Sequence, residues 1–390
     1  MLRLSNRTVM LALVALTGCG ARSELRGPHL DAAVDVPTVD VRDGGPRLRA
    51  TLIAAGARHA CASLTDGTTR CWGANDSGQL GDGTTRDAAR PVFTRLPDGA
   101  ARLACGDQHS CGQGPGGGVF CWGANESGQL GDGTFEPRSE PVRVLVAGVT
   151  EMSLGRAHSV FRVEDGTARS FGANALCQLG EPARPMMDPT PQAIPGLRDL
   201  VAIGAGGDFS CGIARRGSIA CAGTIDTGAP TWCAVNDVGG VDNAIEVAVG
   251  SHHACLRTVD DSIFCRGAND FGQLGDGTRS RHDPWVRVSL RIRATHIAAG
   301  ATHTCAILAD GAIACWGSNT RGELGTDGGM DALVPIDLSI GGPVTALALG
   351  ASFSCALRND GAVMCWGLNA RSQLGDGTTI TRAMPMPVVF

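Results

Sequence analysis

The chain has 390 residues, of which 56 are Gly and 16 are Cys; 4% are aromatic, none is Tyr or Lys, and the formal net charge is −5. Without Lys there is no Schiff-base or P-loop lysine, and without Tyr no phenolic acid or base. No basic run supplies the dense cationic face that releases counterions from phosphate, so nucleic acid is excluded as a partner.

Arg3 and Arg7 precede an apolar run of eight residues at 9–16. A bilayer span needs about 20 residues, so this run is too short to cross and suits the h-region of a secretory signal. It ends in Leu16-Thr17-Gly18-Cys19. That tetrad resembles the bacterial lipobox, which implies cleavage after residue 18 and lipidation of Cys19. Gly20 follows where an Asp would signal inner-membrane retention in Gram-negative lipoproteins. The expected location is therefore a bacterial cell envelope, at the outer membrane or cell surface. Residues 19–46 hold Pro28, Pro37 and Pro46 among Asp31, Asp35, Asp40 and Asp43, without apolar periodicity. They read as a disordered, solvated tether. Its acidity gives no electrostatic reason to lie on anionic lipid, so the membrane is reached through the anchor only.

From residue 47 the sequence repeats to its last residue. A phrase G-A-x-H-x-C-A-L is followed by D-G, then C-W-G-x-N, then G-Q-L-G-D-G-T. Its opening glycines are Gly56, Gly106, Gly155, Gly206, Gly250, Gly300 and Gly350, 44 to 51 residues apart. Seven units over 47–390 make one repeat domain, whatever the length would suggest. Three residues before each opening Gly stands a large apolar residue (Ile53, Leu103, Met152, Ile203, Val247, Ile297, Leu347). Two before stands a small one (Ala54, Ala104, Ser153, Gly204, Ala248, Ala298, Ala348). Such alternation is that of a strand with unlike faces, and the small row points to a crowded direction such as a central axis. Asp66-Gly67, Asp165-Gly166, Asp310-Gly311 and Asp360-Gly361 suit hairpin turns, where positive φ is needed.

The phrases Trp72-Gly73-Ala74-Asn75 with Gly78-Gln79-Leu80-Gly81, and Trp122-Gly123-Ala124-Asn125 with Gly128-Gln129-Leu130-Gly131, carry a resemblance. Residues 267–275, 316–325 and 366–375 repeat them. They resemble the repeat family named for the regulator of chromosome condensation. The resemblance implies an all-β fold, a seven-bladed β-propeller of four-stranded antiparallel blades. Unit four departs most, with Cys221-Ala222-Gly223 in place of the Trp phrase and no Gly-Gln-Leu-Gly. Pro387-Val388-Val389-Phe390 at the end of the sequence is like Pro91-Val92-Phe93 of unit one, so residues 48–55 are expected to complete the last blade.

Six units carry two Cys with nine residues between them. They are Cys61 with Cys71, Cys111 with Cys121, Cys211 with Cys221, Cys255 with Cys265, Cys305 with Cys315, and Cys355 with Cys365. With a three-residue loop at 65–67, Cys61 falls opposite Cys71 on antiparallel strands, within disulfide reach. Unit three has Val160 and Ser170 there, so both cysteines are missing together. No C-x-x-C knuckle accompanies the pairs, which argues against zinc. Of the rest, Cys105 takes the place of Ala or Val in other units and reads as a buried thiol. Cys177 and Cys233 lie in adjacent units and can bridge, a pairing the spacing leaves open.

His59, His109, His158, His253 and His303 share one position, which invites a metal, but Phe209 and Phe353 occupy it in the other units and cannot ligate. The resemblance makes the position structural. Asp82, Asp132, Asp276 and Asp376, each before Gly-Thr, suit turns better than a calcium loop. No G-x-S-x-G or H-E-x-x-H motif is present. No catalytic residue, metal site or cofactor is assigned. The reading is a monomeric, non-enzymatic, lipid-anchored scaffold that binds a protein or surface polymer, with the segments after Gly-Asp-Gly-Thr as contact loops. The alternative is an envelope enzyme acting on glycan or peptide, with acids on one propeller face. An enzyme would gather unrepeated acids or histidines in one pocket, whereas these polar residues mostly recur by unit.

Overall fold

The computed structural model describes residues 48–225, 231–327 and 329–390. Residues 1–18, Cys19 and the 19–46 segment lie outside the described residues. No helix among the described residues is long and apolar enough to cross a membrane.

Seven antiparallel four-stranded sheets form the blades of a propeller, each built from one contiguous stretch of chain. In blade 1 the order from the axis outward is β1 (Ala50–Ala55), β2 (His59–Leu64), β3 (Thr69–Gly73) and β4 (Ala88–Phe93). The other blades span 102–143, 149–193, 200–237, 244–288, 294–338 and 344–387. The Asp-Gly turns behave as their chemistry demands: Gly67 has φ 79°, and Asp66 Oδ1 accepts the Thr68 amide at 2.9 Å.

Closure differs from the expectation that residues 48–55 complete the last blade. Ala50–Ala55 pairs with His59–Leu64 of its own blade, and the last blade has its own fourth strand, Arg382–Pro387. The seam between blades 7 and 1 closes instead by loop and side-chain contacts. Ala351 N donates to Ala57 O at 3.1 Å, Gly377 N to Ala89 O at 2.9 Å, and Trp72 Nε1 to Gln373 O at 3.0 Å. Val388 and Phe390 pack into that seam, with the Phe390 ring edge-on to Trp72 at 5.9 Å. A blade whose strands are already paired leaves no vacancy for a strand from elsewhere, so loop backbone and side chains do the closing.

The apolar core is divided into seven clusters, one per seam between neighbouring blades. This division explains the alternating rows of the inner strands. A Cβ on Gly204 of blade 4 would lie 2.6 Å from Val249 Cγ2 and 3.2 Å from Val247 Cγ1 of blade 5. The small row is crowded by the adjacent blade, not by the axis. The opening glycines have the same cause: a Cβ on Gly300 would fall 2.5 Å from Gly350 O and 2.4 Å from His303 Cε1.

Four outer strands illustrate how the edges are protected. Pro91, Pro141, Pro284 and Pro335 each remove a ladder donor from the strand facing solvent.

Candidate functional site

The recurring histidines sit in the seams. His59 Nε2 meets Ser110 Oγ of the next blade at 2.7 Å, and Ser110 Oγ donates to Gln79 O at 3.0 Å. The serine hydrogen is thereby used, so Nε2–H is the donor to the hydroxyl. The same chain runs through His109–Ser159, His158–Ser210, His253–Thr304 and His303–Ser354 at 2.8 to 3.0 Å. All five imidazoles are fully buried, and each Nδ1 is buried without a hydrogen-bond partner. Burial drives their pKa down, to about 3 for His59, His109 and His253 and about 4 for His158 and His303. They stay neutral across the physiological range and join blades.

The exceptions follow the same logic. Phe209 precedes a blade with Ala254 in the hydroxyl position, and Phe353 precedes the blade with Ala60. His with Ser or Thr, and Phe with Ala, are exchanged as units across a seam.

The aspartates of Gly-Asp-Gly-Thr are likewise satisfied within their loops. Asp82 Oδ1 accepts the Thr84 amide at 2.9 Å and Asn75 Nδ2 at 3.2 Å. Burial alone would raise the Asp132 carboxyl, but Thr134 and Arg138 hold it below the usual range. Among the described residues no group of three or more His, Cys, Asp or Glu could hold a metal ion. The loops carrying these aspartates also reach sideways: Gly83 N donates to Ser139 O of the next outer strand at 2.9 Å, and Gly277 N to Leu333 O at 2.9 Å.

The twelve hairpin cysteines form six bonded pairs. Cys61 is bonded to Cys71, Cys111 to Cys121, and Cys211 to Cys221. Cys255 is bonded to Cys265, Cys305 to Cys315, and Cys355 to Cys365. Within each hairpin the two residues are direct cross-strand partners, as are Val160 and Ser170 in blade 3. The pairing that the spacing left open is also made, with Cys177 bonded to Cys233. Cys105 is a free, half-buried thiol, with burial pushing its pKa up to about 12.

What the repeat does not account for gathers at one mouth of the central channel. Strands 1 and 3 of every blade end on the same face, so the loops after them lie together there. The two positions after each opening Gly read Ala57-Arg58, Asp107-Gln108, Arg156-Ala157, Gly207-Asp208, Ser251-His252, Ala301-Thr302 and Ala351-Ser352. Charges occupy blades 1 to 4, and small neutral residues occupy blades 6 and 7. A cleft of about 410 Å³ lined by Arg58, Asp107, Gln108, Glu126, Ser127 and Arg156 opens there, beside the channel itself.

Its arginines are committed. Arg58 pairs with Asp76 at 3.3 Å, and Arg156 with Asp208 at 2.5 Å. Arg371 of blade 7 adds contacts to Asp76 at 3.3 Å and to both oxygens of Asp87. Gln178 Nε2 donates to Asp208 Oδ1 at 3.4 Å. Asp107 is different: burial raises its carboxyl above the ordinary value, which Arg156 and Arg58 only partly offset. Such an arrangement offers a fixed pattern of opposite charges around a poorly solvated carboxyl, which suits recognition of a polar or cationic group. These residues carry no motif of their own and do not recur from unit to unit, so the repeat pattern hides them. Their signal is the departure from Gly-Ala-x-His at the same two positions.

The sequence matches the profile described as "Regulator of chromosome condensation (RCC1) repeat" at 66–112, 116–162, 260–307 and 310–357. A second profile of that description matches at 50–79, 101–129, 244–273, 294–323 and 344–373. The Arabidopsis thaliana ultraviolet-B receptor UVR8 is 26% identical over 255 residues, 61% of this chain and 57% of that protein. The chain thus spans a little over half the length of that curated relative. Among solved structures, Prp20p from Saccharomyces cerevisiae aligns with a TM-score of 0.75 at 20% identity, over 82% of this chain and 85% of that one. Human WBSCR16 aligns with a TM-score of 0.74 at 22% identity, over 83% and 94%. Repeat phrases, blade count and profile matches agree, and the chain belongs to the regulator of chromosome condensation repeat family.

Proposed function

We propose that the domain is a non-enzymatic, envelope-anchored interaction propeller whose channel mouth over blades 1 to 4 receives another protein or a surface polymer. The observation that carries this reading is the break in the repeat at the mouth. A purely structural ring would place equivalent residues in every blade, yet Arg58, Asp107, Arg156 and Asp208 have no counterparts in blades 6 and 7. A rigid seven-seamed frame holds such groups in place, so little conformational entropy is lost when a partner docks. Prp20p, of the same fold, is described as binding Gsp1p and histones, so protein recognition lies within the family's range.

The lipobox at residues 16–19 supports attachment through Cys19 to a bacterial outer membrane, with residues 20–46 as tether and the domain as a monomer. The enzyme reading is favoured by one feature, the raised Asp107 carboxyl beside Glu126 in an open cleft, since glycan hydrolysis needs such a proton donor.

Crosslinking on intact cells followed by affinity capture tests the proposal. Asp107→Asn with Arg58→Ala should reduce capture at least about tenfold, the scale of losing one buried charge contact, while the melting temperature stays put, because the Asp76 that Arg58 pairs with is exposed and keeps Arg371. Capture unchanged by these variants would remove the mouth as the site. Turnover of glycan or peptide by the purified domain, abolished by Asp107→Asn, would replace the scaffold by the enzyme. For the anchor, fatty-acid labelling should be lost in Cys19→Ser; equal labelling in that variant would refute lipidation there.

A further inference from the structure

The seam between blades 3 and 4 is built unlike the others. Its core cluster is Val160, Ala168, Ile194, Leu197, Leu200, Ile203 and Ala205, with no aromatic ring. The other six clusters each bury at least one Trp or Phe. In blades 1, 2, 6 and 7 a Trp indole N–H donates to the Gln or Glu carbonyl of the preceding blade's loop. Blade 4 has Ala222 in place of that Trp, so Gln178 O keeps Ser210 Oγ, at 2.8 Å, but has no indole donor.

The Cys177–Cys233 bond lies at this gap. Cys177 adjoins Gln178 in the blade 3 loop, and Cys233 is in the outer strand of blade 4, Trp232–Asp237. Cys177 has φ 62° in the slot that Gly78, Gly128 and Gly272 fill, the left-handed region. Exposure separates this disulfide from the rest. The twelve hairpin cysteines are at most 3% exposed, whereas neither Cys177 nor Cys233 is buried.

We propose that Cys177–Cys233 is a thiol-exchange site, a reducible clasp across the blade 3–blade 4 seam in a domain whose other disulfides are locked. A thiolate of a small-molecule thiol or a thiol oxidoreductase attacks one sulfur. It forms a mixed disulfide and expels the other sulfur as a thiolate. A second thiolate of the reductant then attacks the reductant's own sulfur in that mixed disulfide. The second cysteine leaves as a thiolate, and a reductant disulfide is formed. Two electrons pass to the protein, and protons from water complete the two thiols. The attacking thiolate must approach along the S–S axis, which fully buried hairpin bonds forbid and the half-exposed clasp allows.

Reduction removes the covalent tie between the outer strand of blade 4 and the blade 3 loop and leaves only the packing of Val235 on the seam cluster. The inner half of the seam stays held by His158–Ser210 at 3.0 Å and by Ser153 Oγ, which accepts Ala205 N at 2.8 Å. The change is local opening at the rim, not unfolding. It lies one residue from Gln178, whose amide reaches Asp208 at the channel mouth. The exchange chemistry is independent of which partner the mouth receives.

The full-length protein is titrated with reduced glutathione, quenched with iodoacetamide and read by peptide mass spectrometry, with Cys19 and Cys105 scored separately. Cys177 and Cys233 should reach half-alkylation at a thiol concentration at least about tenfold below that for any hairpin pair. At that concentration hydrogen exchange should quicken over 231–237 and stay unchanged in the inner strands. The protein carrying Cys177→Ser and Cys233→Ser should show the same exchange pattern without reductant. Reduction together with or after the hairpin pairs overturns the proposal. Selective reduction without faster exchange at 231–237, in either the reduced or the double-serine protein, overturns the clasp.

Discussion

At the scale of single residues, the buried histidines show how a polar group becomes structural. Each imidazole is fully buried, donates through Nε2 to a hydroxyl of the next blade, and keeps an unpartnered Nδ1. Replacing Ser354 alone with Ala leaves the His303 N–H unsatisfied, at a cost of about 1–3 kcal/mol. His303→Phe with Ser354→Ala copies the native pair of Phe209 and Ala254, and the double variant should cost less than the two single changes summed, in a denaturant double-mutant cycle. Additive costs would show that the exchange is not coupled. The pH dependence has a definite sign. The folded pKa values of about 3 to 4 lie below the ordinary 6.5, so the unfolded chain binds more protons between them. The stability these groups contribute is full above pH 6.5 and declines as pH falls toward 4. The protein carrying His303→Phe and Ser354→Ala should unfold at pH 5 with about one fewer proton taken up, read from the slope of stability against pH.

At the scale of elements, the hairpin disulfides join strands that are already register partners. Closing so short a loop stabilises by about 2–3 kcal/mol through the unfolded chain. Cys305→Val with Cys315→Ser, which copies Val160 and Ser170 of blade 3, should lose about that much in denaturant unfolding and keep the fold. No loss would mean that strand pairing alone sets the stability of the hairpin. These elements were legible in the sequence because their determinants are local. The Asp-Gly turn fixes the hairpin, the hairpin fixes the register, and the register sets Cys61 against Cys71. The same register sets Cys111 against Cys121, Cys255 against Cys265 and Cys355 against Cys365. The small row of the inner strands was legible as a pattern but not in its cause, since Gly204 is crowded by valines 43 and 45 positions further along the chain.

At the scale of the whole molecule, the seam between blades 7 and 1 is closed without a shared strand, and its parts are not interchangeable with those elsewhere. Gln79 O accepts both Trp122 Nε1 and Ser110 Oγ, whereas Gln373 O has Trp72 Nε1 alone, because Ala60 stands in the hydroxyl position. Trp72→Phe should therefore destabilise the domain by about 1–3 kcal/mol more than Trp122→Phe, the cost of leaving a buried carbonyl unpaired. Equal losses in calorimetric unfolding would mean that the seams do not depend on this bond. Blade 4 shows the opposite case. It lacks the loop phrase, the next blade has Arg266 for Trp, and their shared seam is filled by Phe209, Ile213, Ile225 and Leu256.

The repeat, the number of blades, the strand alternation, the hairpin turns and the facing cysteines can all be read along the chain. The blade count follows from the number of units, and the alternation, turns and facing cysteines follow from residues within one unit, where short loops leave the backbone few choices. How the ring closes, what the histidines bond to, why the small row is small, and that Arg58, Asp107, Arg156 and Asp208 share one mouth are properties of the assembled ring. They depend on contacts between units about fifty residues apart. Two positions at the same place in neighbouring repeats meet only once the blades are stacked around a common axis.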